Sequence, residues 1–329
     1  MTLFRLTRRN AVGLAAGAGL VLRHGPNPVA QATSREWAAA PIGRPGEEPG
    51  DGFEIGHGFA CENTWFAADW WHTGEDWYAI EGDTAGANIY AIADGEVVYA
   101  DFDYPGRVVI VQHAPDLYSM YGHLDFELQL EAGQGVTAGD TLGTILALPD
   151  VKAAGQAPSH LHLELRTFLT RDDVNGNAPQ HGVNCGFQCP PGPGYWPIDA
   201  TNHPSEQGWR NPLLGRLARV DIDGLELAPQ ESAVGQAVPL LAGPLLTSDV
   251  VGELTLNEDS RLAVLDLEAG HPASTGTSAE TYDAWCRVAG PDGVEGWVQF
   301  AIPTDRETGS DGRPSAVDLP FLFSGSSKG

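Results

Sequence analysis

From Gly56 to Leu148 the apolar residues recur at every second position, in short runs separated by Gly and Asp. That alternation puts apolar side chains on one face of an extended strand and polar ones on the other. No stretch keeps the 3.6-residue period of a helix. The region is therefore expected to be mainly antiparallel β. Asn88–Ala93 reads as a strand, Asp94-Gly95 as a hairpin turn and Glu96–Ala100 as the return strand. Arg107–Gln112, Tyr118–Leu124 and Leu161–Leu165 alternate too, and Gly135–Leu146 reads as a turn followed by a strand. Short strands resume from about residue 230, at Ala237–Leu241, Arg261–Leu265, Trp285–Val288 and Gly296–Phe300. Gly (41) and Pro (24) make up close to a fifth of the 329 residues, a richness in turn formers that goes with many short strands.

The ends and the intervening stretches divide the chain. Residues 1–32 hold Arg5, Arg8, Arg9 and Arg23 and no acid, and the first three precede the apolar stretch Ala11–Leu22. Thr7-Arg8-Arg9 is twin-arginine-like, and Ala30-Gln31-Ala32 fits an A-x-A cleavage site. Twelve helical residues span about 18 Å of a ~30 Å hydrocarbon core, so the segment reads as an export signal of a prokaryote and not as an anchor. No other segment is long enough to cross a bilayer, and no stable membrane insertion is expected once the signal is gone. Residues 33–52, rich in Pro, Gly and Glu, read as a linker. Residues 53–215 form the first domain, with 167–210 as a loop insertion rich in Asn, Asp, Gly and Pro. Residues 230–323 suit a small β-barrel, and 324–329 a disordered Ser/Gly tail.

Beyond the signal, 14 basic residues face 44 acidic ones, a net charge of −30. Such a surface has too few cations to neutralise nucleic-acid phosphates or anionic lipid, so nucleic acid is excluded as a partner. Oligomeric state has no signature in the sequence. Outside the cytoplasm the cysteines Cys61, Cys185, Cys189 and Cys286 favour disulfides over a metal knuckle, with three pairings open. Cys185 and Cys189 are the expected local pair, which leaves Cys61 with Cys286.

The histidines carry the chemistry. His72-Thr-Gly-Glu-Asp76 places an imidazole and a carboxylate four apart around a glycine. His160-Leu-His162-Leu-Glu164 places two imidazoles on one strand face, with Leu on the other. Tyr121-Gly-His123-Leu124 adds a third from another β segment. Each element alone is common. Their joint occurrence, in this order and on strands, is specific, and the residue types suit zinc. The residues alone leave open which of His160 and His162 would hold the metal.

These motifs resemble the lysostaphin-type (LytM-like) zinc endopeptidases of cell walls. Ala87–Gly95 resembles that family's strand and turn after the first ligand pair, Gly135–Asp140 its turn before the last strands, and Asn211-Pro212 its closing dipeptide. The likeness covers about residues 56–166 and 210–215. It implies a β-sheet metallopeptidase domain with a groove over 53–215, and one Zn2+ held by His72, Asp76 and His162. It implies that His123 and His160 are catalytic groups, without deciding which is the base. Some members carry a Tyr six residues before the first ligand; here that position is Phe66, so Tyr121 becomes the candidate transition-state stabiliser. The stretches Leu241–Leu254 and Val294–Gln299 resemble a bacterial SH3-like domain, whose usual partner is cell-wall peptide. The implied function is hydrolysis of peptidoglycan stem peptides or cross-bridges by an exported protein, extracellular, wall-associated or periplasmic. The alternatives are a non-catalytic wall-binding or regulatory protein on the same fold and a zinc peptidase acting on proteins.

Overall fold

The computed structural model describes residues 36–62, 70–102, 106–127, 130–147, 159–169, 194–198, 203–269, 282–290, 293–308 and 314–324. The signal expected at 1–32, Phe66, and Cys185 with Cys189 lie outside them. The chain is mostly antiparallel β, as the alternation requires, and its one described α-helix, Pro212–Leu217, is a short one capped by the Asn211 side chain. No described helix is long and apolar enough to cross a membrane.

One sheet runs through both halves of the chain. Its order is Phe321–Ser324, Glu226–Pro229, Leu262–Ala269, Ala284–Ala289, Glu295–Thr308, Pro314–Asp318, Phe53–His57, Glu75–Ala79, Leu161–Arg166, Leu117–Leu124, Arg107–Ala114, Gly95–Phe102 and Gly135–Val136. The C-terminal strands thus join the N-terminal ones where Ile55 pairs with Val317. The strands Ala237–Leu241 and Val250–Thr255 pair with each other and attach to Glu295–Thr308.

The Leu161–Arg166 strand sits between Glu75–Ala79 and Leu117–Leu124. Its alternation divides cleanly: Leu161, Leu163 and Leu165 go into the apolar core with Phe53, Ile55 and Trp77, while His162 and Glu164 face the other way. His162 pairs laterally with Asp76 on one side and Gly122 on the other, and Asp76 in turn pairs with His57. A row of four residues thereby crosses the sheet at one level.

Two local expectations differ. Asn88–Tyr90 does not form a hairpin with Gly95–Phe102; it pairs with Ile42–Gly43 and Thr141–Thr144 in a separate three-stranded sheet. Asp94-Gly95 is instead the corner between sheets. The donors of Ala91 and Ile92 go to Asp140 O and the Tyr121 hydroxyl, and Asp94 Oδ1 accepts from Ala138 N–H. A Cβ at Gly95 would come within 2.5 Å of Gln112 O, so only glycine takes that corner. Residues 36–52, expected as linker, are packed into the fold. Trp37 and Ile42 are buried, because two large apolar side chains in a polar stretch suffice to dock it. No disulfide joins Cys61 to Cys286; both thiols are buried, and burial pushes the Cys286 thiol up.

Candidate metal centre

His72 ends the short strand Trp70–His72, and Asp76 lies at the start of Glu75–Ala79. Between them Gly74 passes so close to the neighbouring strand that a Cβ there would lie 2.3 Å from Leu163 O. The glycine of the His72-x3-Asp76 motif is thus what lets both side chains reach His162. His72 Nε2 lies 3.1 Å from His162 Nδ1 and 3.2 Å from Asp76 Oδ1, and His162 Nδ1 lies 2.9 Å from Asp76 Oδ1. All three residues are buried.

The outward nitrogens decide the tautomers. His72 Nδ1 is 3.0 Å from Gly58 O, an acceptor, so Nδ1 carries the proton and Nε2 presents its lone pair. His162 Nε2 is 3.2 Å from Glu164 Oε1. Burial opposes ionisation of Glu164, but His162 and Arg166 hold its carboxyl below the usual range. As a carboxylate it only accepts, so His162 donates from Nε2 and its Nδ1 also points inward. Two lone pairs and a carboxylate oxygen therefore converge, and only a cation relieves their repulsion. Four-coordinate zinc with bonds of 2.0–2.1 Å sets its ligand atoms about 3.3 Å apart, close to the separations here. The donor set fits such an ion.

A proton serves without the metal. Burial disfavours charge on His162, but hydrogen bonds and charge from Asp76 and Glu164 raise its pKa to about 9. Burial likewise opposes ionisation of Asp76, yet His72, His160 and His162 hold its carboxyl well below the usual range.

Glu164 is the hub behind the ligands. Thr73 Oγ1 donates to Oε1 at 2.6 Å, while Trp209 Nε1 and Arg166 Nη1 donate to Oε2 at 3.0 and 3.2 Å. Its role was open to detection, since the alternation that puts His160 and His162 on one face puts Glu164 there as well. His57 was not foreseeable, because it belongs to no spaced motif. Its ring lies 4.5 Å from that of His72, and burial above all lowers its pKa to about 3. Its Nε2 has no hydrogen-bond partner among the described residues.

His123 and His160 flank the cluster. Their ring centroids are 4.5 Å apart, and His123 lies 6.4 Å from His162. His160 Nε2 is 3.7 Å from Asp76 Oδ2, and Tyr78 stacks on the His160 ring. Regular alternation would place His123 on the face of Tyr121. Its φ of +65°, one of two positive values among described non-glycine residues, breaks that alternation and turns the imidazole to the ligands. The structure does not bring Tyr121 to the site. Tyr121 pairs with the core residue Leu163, and its hydroxyl accepts from Ile92 N–H and hydrogen-bonds Ser119. With its hydroxyl buried and engaged there, the expected stabilising role gives way to a structural one. The ends of the 167–210 segment are built into the site: Tyr195 pairs with His72, its ring 5.6 Å away, and Trp209 reaches Glu164.

Residues 71–178 match the profile of peptidase family M23. All three ligand candidates, both flanking histidines and Glu164 fall inside that segment. An uncharacterised protein of Neisseria meningitidis serogroup B is 38% identical over 78 residues, which is 23% of this chain; the chain spans 13% of that protein's length. The solution structure of lysostaphin is 12% identical, covers 90% of this chain and 99% of its own, and superposes with a TM-score of 0.34. The catalytic domain of the prophage-encoded M23 protein EnpA from Enterococcus faecalis is 23% identical over 38% of this chain and 86% of its own, with a TM-score of 0.28. The chain resembles peptidase family M23 in the segment that carries the candidate metal site.

Proposed function

We propose that the chain is an exported zinc metalloendopeptidase that hydrolyses peptide bonds in peptidoglycan stem peptides or cross-bridges. The observation that carries this reading is the convergence of His72 Nε2, Asp76 Oδ1 and His162 Nδ1 within 3.2 Å of one another, inside the segment that matches a peptidase family. Zinc held there would supply Lewis acidity toward a carbonyl and toward water.

The chain's own residues do the rest. Gly58 O and Glu164 keep the two ligand imidazoles in the required tautomers. His123 and His160 are the groups that move protons: hydrolysis takes one from water and delivers one to the departing amine nitrogen. Side chains in such roles contribute about 10²–10⁴-fold each. Their edge-to-face contact keeps both rings at the ligand cluster. Trp70, Trp71 and Tyr195, partly exposed on the paired strands beside His72, would form one wall of the groove that orients a peptide. In this reading residues 230–323 form an SH3-like β-barrel that engages wall peptide, and residues 1–32 direct export. All five chemical positions are filled, which favours an enzyme over a binding protein.

Zinc content after purification and turbidity loss of a wall suspension, with and without chelator, test the proposal. One equivalent of zinc with chelator-sensitive clearing is expected. Clearing that survives complete metal removal, or a metal-loaded protein inert on walls and on wall peptides, would overturn it.

A further inference from the structure

A side chain from the C-terminal strands' region, Tyr282, contacts the two segments beside the first ligand candidates. Tyr282 is buried, and its hydroxyl accepts from Phe59 N–H at 2.7 Å and donates to Glu75 Oε1 at 3.0 Å. Those two partners belong to the two segments that hold the first ligand pair. Phe59 sits in the turn Gly58–Cys61, which grips His72 three times: Gly58 O meets His72 Nδ1 at 3.0 Å, Ala60 N–H donates to His72 O at 2.8 Å, and His72 N–H donates to Cys61 O at 2.9 Å. Ala60 stands at φ +57°, an unfavourable conformation for a residue with a Cβ, so the turn needs outside support to keep this shape. Glu75 immediately precedes Asp76 and is pinned by Leu213 N–H at 2.9 Å and Trp77 Nε1 at 3.1 Å as well as by Tyr282.

We propose that Tyr282 is a positioning residue of the metal centre, its hydroxyl tying the turn that orients His72 to the carboxylate that precedes Asp76. The proposal rests on the reading of His72, Asp76 and His162 as metal ligands and deepens it: the centre is completed by a residue outside the family-matched segment. Removing the hydroxyl leaves Phe59 N–H buried without its acceptor and loosens the turn, so Gly58 O no longer fixes the His72 tautomer. Direct outer partners of metal-bound histidines contribute about 10–100-fold in affinity; Tyr282 acts through the turn that holds such a partner, so its effect falls at the low end of that range.

The test uses the full chain and zinc alone as probe. Zinc affinity is measured by chelator competition for the wild type, for Tyr282→Phe and for Val288→Ala, a core change on the strand that follows Tyr282, where Val288 pairs with Val264 and Gly296. Tyr282→Phe should bind zinc about 10-fold more weakly, the low end of the range for direct outer partners, whereas Val288→Ala should match the wild type. Equal affinity of Tyr282→Phe and wild type would overturn the proposal, as would an equal loss in Val288→Ala. If Tyr282→Phe does not fold, hydrogen exchange of the Phe59 amide in the wild type decides. Protection equal to that of core strands supports the role, and exchange as fast as that of an exposed turn overturns it. A wild type that binds no zinc is a different failure, that of the metal reading itself, and is visible before any variant is made.

Discussion

His123 faces His160 with ring centroids 4.5 Å apart only because its backbone stands at φ +65°; in a regular strand it would share the face of Tyr121 and miss the metal cluster. His123→Ala and His160→Ala should both retain metal and lose about 10²–10⁴-fold in turnover. His123→Gly should be equally inactive yet more stable than His123→Ala by about 1 kcal/mol, because glycine takes the left-handed conformation without a Cβ penalty. Thermal melts of the two variants with metal analysis check this, and an alanine variant as stable as the glycine one would remove the strain argument.

Metal should compete with a proton at His162. Its pKa of about 9 without metal means Nδ1 is protonated at neutral pH, so binding must release about one proton and weaken as pH falls. Calorimetric titration in buffers of different ionisation enthalpy measures the proton count directly. A count of zero at pH 7 would mean that Nδ1 carries no proton before the metal arrives. His72→Ala or Asp76→Ala should abolish tight binding at every pH.

Glu164 should matter to the metal without touching it. Glu164→Ala strands His162 Nε2, Thr73 Oγ1 and Trp209 Nε1 together, and should lower metal affinity about 10–100-fold. Chelator competition at fixed pH reads the effect, and unchanged affinity would mean that His162 holds its tautomer without help.

Two buried groups should tilt stability in opposite directions. Burial lowers His113 from 6.5 to about 4, so its contribution is complete above pH 6.5 and is lost as pH falls toward 4. Burial raises Glu75 from 4.5 to about 7, so its contribution is complete below pH 4.5 and is lost as pH rises through about 7. Each amounts to up to about 3 kcal/mol. Denaturant melts across pH 4–8 should show His113→Gln losing the acid-side slope. Glu75→Gln should lose the opposite slope, while weakening the Trp77 hydrogen bond at all pH values.

Strand alternation made one face legible, since Leu161 and Leu163 go to the core and leave His160, His162 and Glu164 together on the other side; the choice of His162 over His160 as partner of His72 and Asp76 came only from the family resemblance, because alternation treats the two alike. The Asp94-Gly95 corner was not legible, because the same dipeptide makes a hairpin or a sheet crossing depending on whether Asp140 and Tyr121 take the neighbouring donors. Tyr121 misled for a related reason. Nothing local states that His123 breaks the alternation two residues on. Tyr282 lies 207 positions from the carboxylate it meets, and no pattern of local period links the two.

The ladder that joins Ile55 to Val317 also bears on how such a chain can be shortened or recombined. A shortened peptidase half would present Phe53–His57 as a bare sheet edge, a template for pairing with another copy. Excised on its own it should self-associate in proportion to its concentration, and the C-terminal half is the cover that keeps that edge from becoming sticky.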